Sequence, residues 1–558
     1  MPLASSRIGP FGGTVTHTLR LRSTAETGAD DTFDLAAAGH AWATEFSTPA
    51  LSLAPCASAT VTISVQIPTT AAWAAMDTAA VSAASQTYPS QAVTASVKTE
   101  SPAPVLLVDD DRFYDVEGYY THALQTKGIP YQLWSPTPES LGPLTDTLAM
   151  YPIVLWVSAY DWSRPLSPEE EIRLSGYLQN GGGLYYNGQD YLYATEGPDE
   201  FAQTYLGVAG YTEDAISTVI SGVITSPVGA WLGPTPLALS YRNFSDALTP
   251  TTTARPAMRG QTGQVNSVTN QGEAWRTAFF AFDPDGLPPA TGEHLIQRLV
   301  GWLSWLGNSQ VGADRSMVRD SDIVTYTVSL TNDGWQDIDQ ANMTATFTSD
   351  LAPIPGSIQG GASWEAGHQA FVWQGTLAQD QGRVFTYQAV VASPLPDGHV
   401  LSHTVWIGYD SHKVLFDRVQ STYVNYPILS SSTFTVSPLA VDQGDWLTFT
   451  LQARNTGLGG TTVAVSNLLP TYLALSPSDL WVSRGEVQLD GRQVTWSVPL
   501  SESENAVLTY TGWLTGIPPK SVLNNQATLN DDLGNWVELQ ASVMVAPKSW
   551  FLPLILKN

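Results

Sequence analysis

The stretch PVLLVDDDRFYD, residues 104–115, runs an apolar segment straight into three acids, Asp109, Asp110 and Asp111. Carboxylates at the end of a buried strand have three chemical uses. They can hold a hard divalent cation, accept a phosphoryl group, or bond the amides of their own loop. Other groups suited to chemistry are sparse. The chain has one cysteine, Cys56, and eight histidines scattered along its length. His399 and His403 stand four apart in HVLSH, but the flanking residues alternate like a strand. Four residues of strand span roughly 13 Å, too far for one ion to bridge. The turns AVDQGD (440–445) and LNDDLGN (529–535) offer carboxylates that could take calcium, although solvated turn acids explain them as well. H-E-x-x-H and G-x-S-x-G are both absent, which removes the motif-based metalloprotease and serine-hydrolase readings.

The segment that positions the acids, residues 101–307, reads as α/β. LLV, YQLW, PIVLWVSAY, GLYYNG and TAFFAF are apolar runs of the kind found in strands buried on both faces. Helical patterns separate them. One starts near Asp115, which can cap it with Glu117 in the first turn. The clearest is SPEEEIRLSGYLQNGGG, where Ser167 and Glu170 form a capping box, Pro168 takes the first position, and Asn180 and glycines end the helix. GEHLIQRLVGWLSWL gives a last amphipathic helix. Alternating strands and helices predict a three-layer unit with a mostly parallel sheet. Ligands of such sheets bind at the carboxyl edge. Tyr160, Asn187, Gln189 and Asp190 fall at that edge, and with Asp109, Asp110 and Asp111 they form a candidate ligand crevice. Residues 205–270 read as an insertion with strands of its own.

The flanks read differently. Residues 1–100 alternate with period two: Val15, His17, Leu19 and Leu21 share one face, as do Val61, Ile63, Val65 and Ile67. SPAP, residues 101–104, reads as a stiff linker. Residues 308–424 and 425–546 repeat each other at an offset of 123. DSDIVTYTVSLTNDG matches QGDWLTFTLQARNTG, Trp373 matches Trp496, and Tyr387 matches Tyr510. A period of that length marks two copies of a domain, each a β-sandwich. The apolar tail at 547–558 is too short to span a bilayer.

Composition bounds the function. With 51 acids against 24 bases, the net charge of −27 repels polyanions, so nucleic acid is not an expected partner. A lone cysteine excludes an intramolecular disulfide and a multi-cysteine zinc site, and it fits thiol avoidance in bacterial secretion. No apolar run reaches the roughly 18 residues needed to cross a membrane. The N-terminus shows no signal peptide and enters a strand pattern at TVTHTLRL, which favours a piece of a longer protein.

The two copies, with VTYTVSLTNDG and FVWQGTLAQDQGRVFTY, resemble the bacterial surface-repeat sandwiches called DUF11 domains. Residues 1–100 look like Ig-like sandwiches that accompany secreted hydrolases. The middle segment, with PVLLVDDDRFYDVEGYY, GGGLYYNGQD and TAFFAFDPDGLP, resembles class I glutamine amidotransferase-like, flavodoxin-like domains. That family places a nucleophilic cysteine at the elbow after a strand; here Asn187 or Gly188 occupies it, so the family's activity does not carry over. The acid trio is also similar to the opening of receiver domains. Their phosphoacceptor place falls at Ser158 or Ala159, and no lysine occurs between Lys127 and Lys413, so that chemistry is missing too.

The expected architecture is therefore multidomain, with Ig-like β-sandwiches flanking one α/β unit. The resemblances imply a non-catalytic extracellular or cell-surface scaffold, secreted, and similar to the C-terminal accessory region of subtilisin-like proteases. Its partner would be an adjoining protease domain or a cell-envelope component. A carbohydrate- or peptide-binding module, in the crevice or on a sandwich face, is the alternative. Trp335, Trp446, Trp481, Trp513 and Trp536 lie in or beside strands and could stack on sugars. A divergent hydrolase using Asp109–Asp111 is the third reading. No cofactor is expected, with calcium the one exception considered.

Overall fold

The computed structural model describes residues 4–137, 140–516 and 521–545, so the apolar tail lies outside the described residues. Strand alternation in the first hundred residues produces a five-stranded sheet facing a three-stranded one. The Thr14–Arg22 strand buries Val15, His17, Leu19 and Leu21 and exposes the residues between them, as its period predicts. His17 lies in this interior and bonds the hydroxyls of Ser5 and Thr99 at 2.9 Å each. The SPAP segment is not a free linker. Residues 101–104 are buried, and Gln132 clamps them by accepting from the Ala103 amide at 3.0 Å and donating to the Ser101 carbonyl at 3.1 Å.

The middle segment builds a nine-stranded sheet. Tyr131–Trp134, Val105–Asp109, Ile153–Ala159, Gly183–Gly188 and Arg276–Phe280 lie side by side and parallel. The sheet is nevertheless mixed rather than mostly parallel. Strands from residues 219–271 continue it as an antiparallel half beyond Arg276–Phe280, because Val265–Gln271 hairpins directly onto that strand. Residues on alternate faces of the parallel strands enter two separate cores. Leu107, Leu155 and Phe280 pack with the helices Glu117–Thr126 and Pro289–Leu303, and Leu106, Trp156 and Phe279 pack with the helix Pro168–Gln179. The capping box of Ser167 and Glu170 is formed. Asp115 does not cap the first helix. It sits at φ +56°, and Val116 is the cap residue instead.

The repeat is reproduced element by element. The strands Ile323–Thr331, Ala370–Leu377 and Gly382–Val391 recur as Trp446–Arg454, Gln493–Leu500 and Asn505–Leu514. Asn332 and Asn455 are the matching buried turn residues. Each donates across to the next hairpin, at Leu377 and Leu500 respectively, and each accepts from the glycine two residues on. Trp373, Trp496, Tyr387 and Tyr510 are core residues.

The apolar core does not stop where the α/β pattern stops. One cluster runs from Val105 through the Pro289–Leu303 helix into the first repeat, as far as Val424. At the seam, Gly301 lets the Val414–Val424 strand approach so closely that a Cβ there would lie 2.2 Å from the Phe416 ring. Arg298 and Asp417 are buried beside it and meet at 2.6 Å, while His294 bonds the other Asp417 oxygen at 2.8 Å. Arg276 is ion-paired to Asp333. Trp73 of the first sandwich packs on His412 at 4.4 Å between ring centres and edges toward Trp305 at 6.5 Å. The last sandwich has a core of its own and meets the rest through contacts such as the exposed Arg319–Glu502 pair.

Candidate functional site

Four of the five parallel strands deliver polar residues to the same edge. The first brings Asp109–Asp111, the third Tyr160, the fourth Asn187–Asp190 and the fifth Asp283–Asp285. Arg112 and Asp115 both adopt positive φ, which folds the loop after the first strand tightly back toward the helix. Asp111 accepts from the Val116 amide at 2.9 Å, so one carboxylate fastens the helix start. Asp110 accepts from the Trp156 indole at 2.9 Å. Burial, then the nearby Glu170 carboxylate, pushes Asp110 up to about 8. Burial likewise raises Asp109 and Asp111, opposed by hydrogen bonds to their carboxylates.

Asp109, Asp111 and Glu117 bring carboxylate oxygens within 4.8 Å of one another. They border a cavity of about 190 Å³ that Asp110 and Thr137 also line. The trio could supply three oxygens to a hard cation, which takes six to eight in all. Asp111 already accepts the Val116 amide, so part of the cluster serves the loop itself.

The other four predicted residues do not border that cavity. Tyr160 donates to Asp285 at 2.6 Å and packs against Tyr114 and Tyr241. Asn187 is fully buried. Its amide donates to the carbonyls of Phe282 (2.9 Å) and Phe280 (3.4 Å), and its oxygen accepts from Tyr120 at 3.3 Å. Gln189 donates to the Arg242 carbonyl at 3.1 Å and accepts from the Phe244 amide at 3.2 Å, which ties the segment around 242–244 over the sheet edge. Asp190 is pushed up to about 6 by burial, opposed by Gln189. The single crevice expected from the sequence is thus divided into an acid-lined cavity and a closed seam.

Sequence reasoning passed over Asp283, Asp285 and Asp246. Asp283 is fully buried and caps the Asp285 amide at 2.9 Å. Burial, then the Asp285 charge, holds it well above the carboxylate range. Asp246 is pushed up to about 8 by burial. The signal for the first pair was present: AFFAFDPDG ends an apolar strand in acids just as PVLLVDDD does. Cys56 is exposed in the first sandwich, far in sequence from the elbow. His403 is buried on its strand and bonded to Tyr387 at 2.7 Å, whereas His399 pairs with Asp350 at 3.0 Å. The two histidines therefore serve different partners.

No family model and no curated sequence matches this chain. Among solved structures it is similar to the C-terminal domain of the AgI/II polypeptide BspA of Streptococcus agalactiae, at 10% identity over 43% of this chain and 99% of that one, with a TM-score of 0.21. It is similar to the collagen adhesin CNA from S. aureus at 10% identity, over 43% of this chain and 94% of that one, with a TM-score of 0.18. A protein described as a GMP synthase component, from Thermoplasma acidophilum, gives 11% identity over 36% of this chain and 94% of that one, with a TM-score of 0.27. Likeness at this level assigns nothing to the chain. Among the described residues, no helix is long and apolar enough to cross a membrane.

Proposed function

We propose that this chain is a non-catalytic extracellular or cell-surface scaffold, the accessory region of a larger secreted protease. One observation carries the reading. The elbow after the fourth parallel strand holds Asn187, whose amide is consumed in bonds to Phe280, Phe282 and Tyr120. A nucleophile there would need to face a substrate; this side chain is tied into the interior. Five parallel strands with helices on both faces support a three-layer unit of the class I glutamine amidotransferase-like type. The two matched sandwiches support a DUF11-like pair, and the core that runs from the α/β segment into the first of them supports a rigid spacer rather than beads on a string.

The purified chain is expected to turn over neither glutamine nor peptide and ester substrates. Turnover abolished by Asp110→Asn or Asp111→Asn would revive the hydrolase reading. Cell fractionation with an antibody to the chain tests its location, and recovery only from the cytosol overturns the surface assignment. The reading frame upstream of Met1 and the proteins that co-purify from the culture medium test the protease association. If neither yields a protease, that part of the proposal fails.

A further inference from the structure

We propose that the outer face of the last sandwich is a platform for a neutral polysaccharide, gripped by Trp446, Trp513 and Trp481. Trp446 and Trp513 are direct cross-strand partners with ring centres 5.1 Å apart. Trp481 stands opposite Thr509 on the neighbouring strand. Thr509 is four residues before Trp513, which puts the third indole roughly 13 Å along the strand. Trp446 and Trp481 are 56% and 59% exposed, so these rings do not serve the core.

The first repeat supplies an internal comparison. Its two central strands match those of the second in register, and Ile323 opposite Val390 takes the place of Trp446 opposite Trp513. Beside them, an isolated bridge between Gln359 and Thr386 stands where Trp481 faces Thr509, one residue off the 123-residue offset, which matches Trp481 with Ile358. The same fold therefore forms with none of the three tryptophans. A cross-strand aromatic pair adds a little stability beyond its buried area, and the sister sandwich does without it. Three changes from aliphatic or amide to indole, on one face of one copy, indicate a task that the fold itself does not set.

The rest of the face narrows the partner. Thr448, Thr450, Thr509 and Thr511 stand between the rings and point outward. The neighbouring Thr433–Ser437 strand adds only hydroxyls to this side. From Trp446 to Gln452 and from Val507 to Trp513, no outward residue is charged. In a chain of net charge −27, an uncharged face flanked by acids elsewhere suits a neutral partner and disfavours a polyanion. The two strands that carry Trp446 and Trp513 are paired to each other along their length, so a peptide cannot add as a further strand between them. Side chains alone must do the recognising. Flat indoles take the apolar C–H faces of pyranose rings, and the threonines take their hydroxyls. This proposal goes beyond the scaffold reading and does not depend on it.

The test replaces the three tryptophans by the residues of the sister repeat, Trp446→Ile, Trp513→Val and Trp481→Gln, in the full chain. Affinity electrophoresis and tryptophan quenching are measured against soluble β-glucan, xylan and mannan, with heparin as the polyanion control. The expected result is binding to at least one neutral polysaccharide, weakened at least tenfold in the triple variant while its melting temperature stays near the parent's. Conversion of Trp481 alone, leaving the stacked pair, is expected to weaken binding to a smaller degree. The proposal is overturned if the parent binds none of the three, or if binding survives the triple change. It is equally overturned if heparin binds best, or if the variant loses only self-association measured by sedimentation.

Discussion

Arg298 and Asp417 lie 119 residues apart in sequence and meet at 2.6 Å, both buried, where the last helix of the α/β segment receives the first repeat. Arg298 also donates to the carbonyls of Val228 (3.1 Å) and Pro227 (2.8 Å), and Asp417 accepts from His294. Burial pulls Arg298 down against the opposing Asp417 charge, whereas Asp417 ends below the usual carboxylate range because His294 and Arg298 outweigh its own burial. Removing one partner of such a pair leaves the other charged and unpaired. Asp417→Ala is expected to cost about 3–5 kcal/mol in denaturant unfolding. The double variant Arg298→Met/Asp417→Leu is expected to cost less than the sum of the two singles, which a double-mutant cycle measures directly.

Gly301 gives a prediction of opposite sign to the usual rule. In the middle of a helix, Gly→Ala normally stabilises by about 0.5–1 kcal/mol. Here the added methyl would fall on the Phe416 ring. Gly301→Ala is expected to destabilise by about 1–3 kcal/mol, as overpacking does. Gly301→Ala/Phe416→Leu should recover part of that loss in the same melt.

Asp110 makes stability fall as pH rises. The folded chain keeps its proton up to about pH 8, while an unfolded aspartate releases it near pH 4. Between those values the folded state binds more protons, so stability falls as pH rises through the window. Asp246 adds to the same slope. Asp110→Asn keeps an acceptor for Trp156 and removes the titration. Its melting temperature is expected to drop less than the parent's between pH 5 and pH 8.

His403 acts on the acid side. Burial lowers it to about 3, and His412 is lowered to about 3 as well. Unfolded histidine titrates near 6.5, so neither costs stability above that pH, and both destabilise progressively as pH falls from 6.5 toward 3. In the second repeat the matching tyrosine, Tyr510, bonds Asn525 and Asn467 instead. His403→Asn is expected to flatten the loss of stability between pH 6.5 and 4, read from melting curves, at a modest cost at pH 7.

Much of this molecule was legible because its signals are local. Period-two alternation placed the inward faces of the sandwich strands, the Ser167–Glu170 box marked its helix, and a 123-residue offset paired strands that do coincide. Other readings failed for reasons that local pattern cannot contain. Asp115 was a plausible cap by type, yet its φ of +56° and the Asp111–Val116 bond move that role elsewhere. SPAP has linker composition, and Gln132 from an edge strand buries it. Residues 205–270 read as an insertion apart, yet four strands between 219 and 271 extend the sheet because a hairpin carries them onto its open side.

By itself, the sequence determined the element types, the repeated sandwich and the missing thiol at Asn187, since each depends on residue identity and near spacing. Only the tertiary structure decided that Asn187 and Gln189 close a seam instead of lining a crevice, that Arg298 finds Asp417, and that three tryptophans gather on one face. Those outcomes depend on which distant strands become neighbours. Burial and long-range pairing fix that, and a one-dimensional pattern records neither.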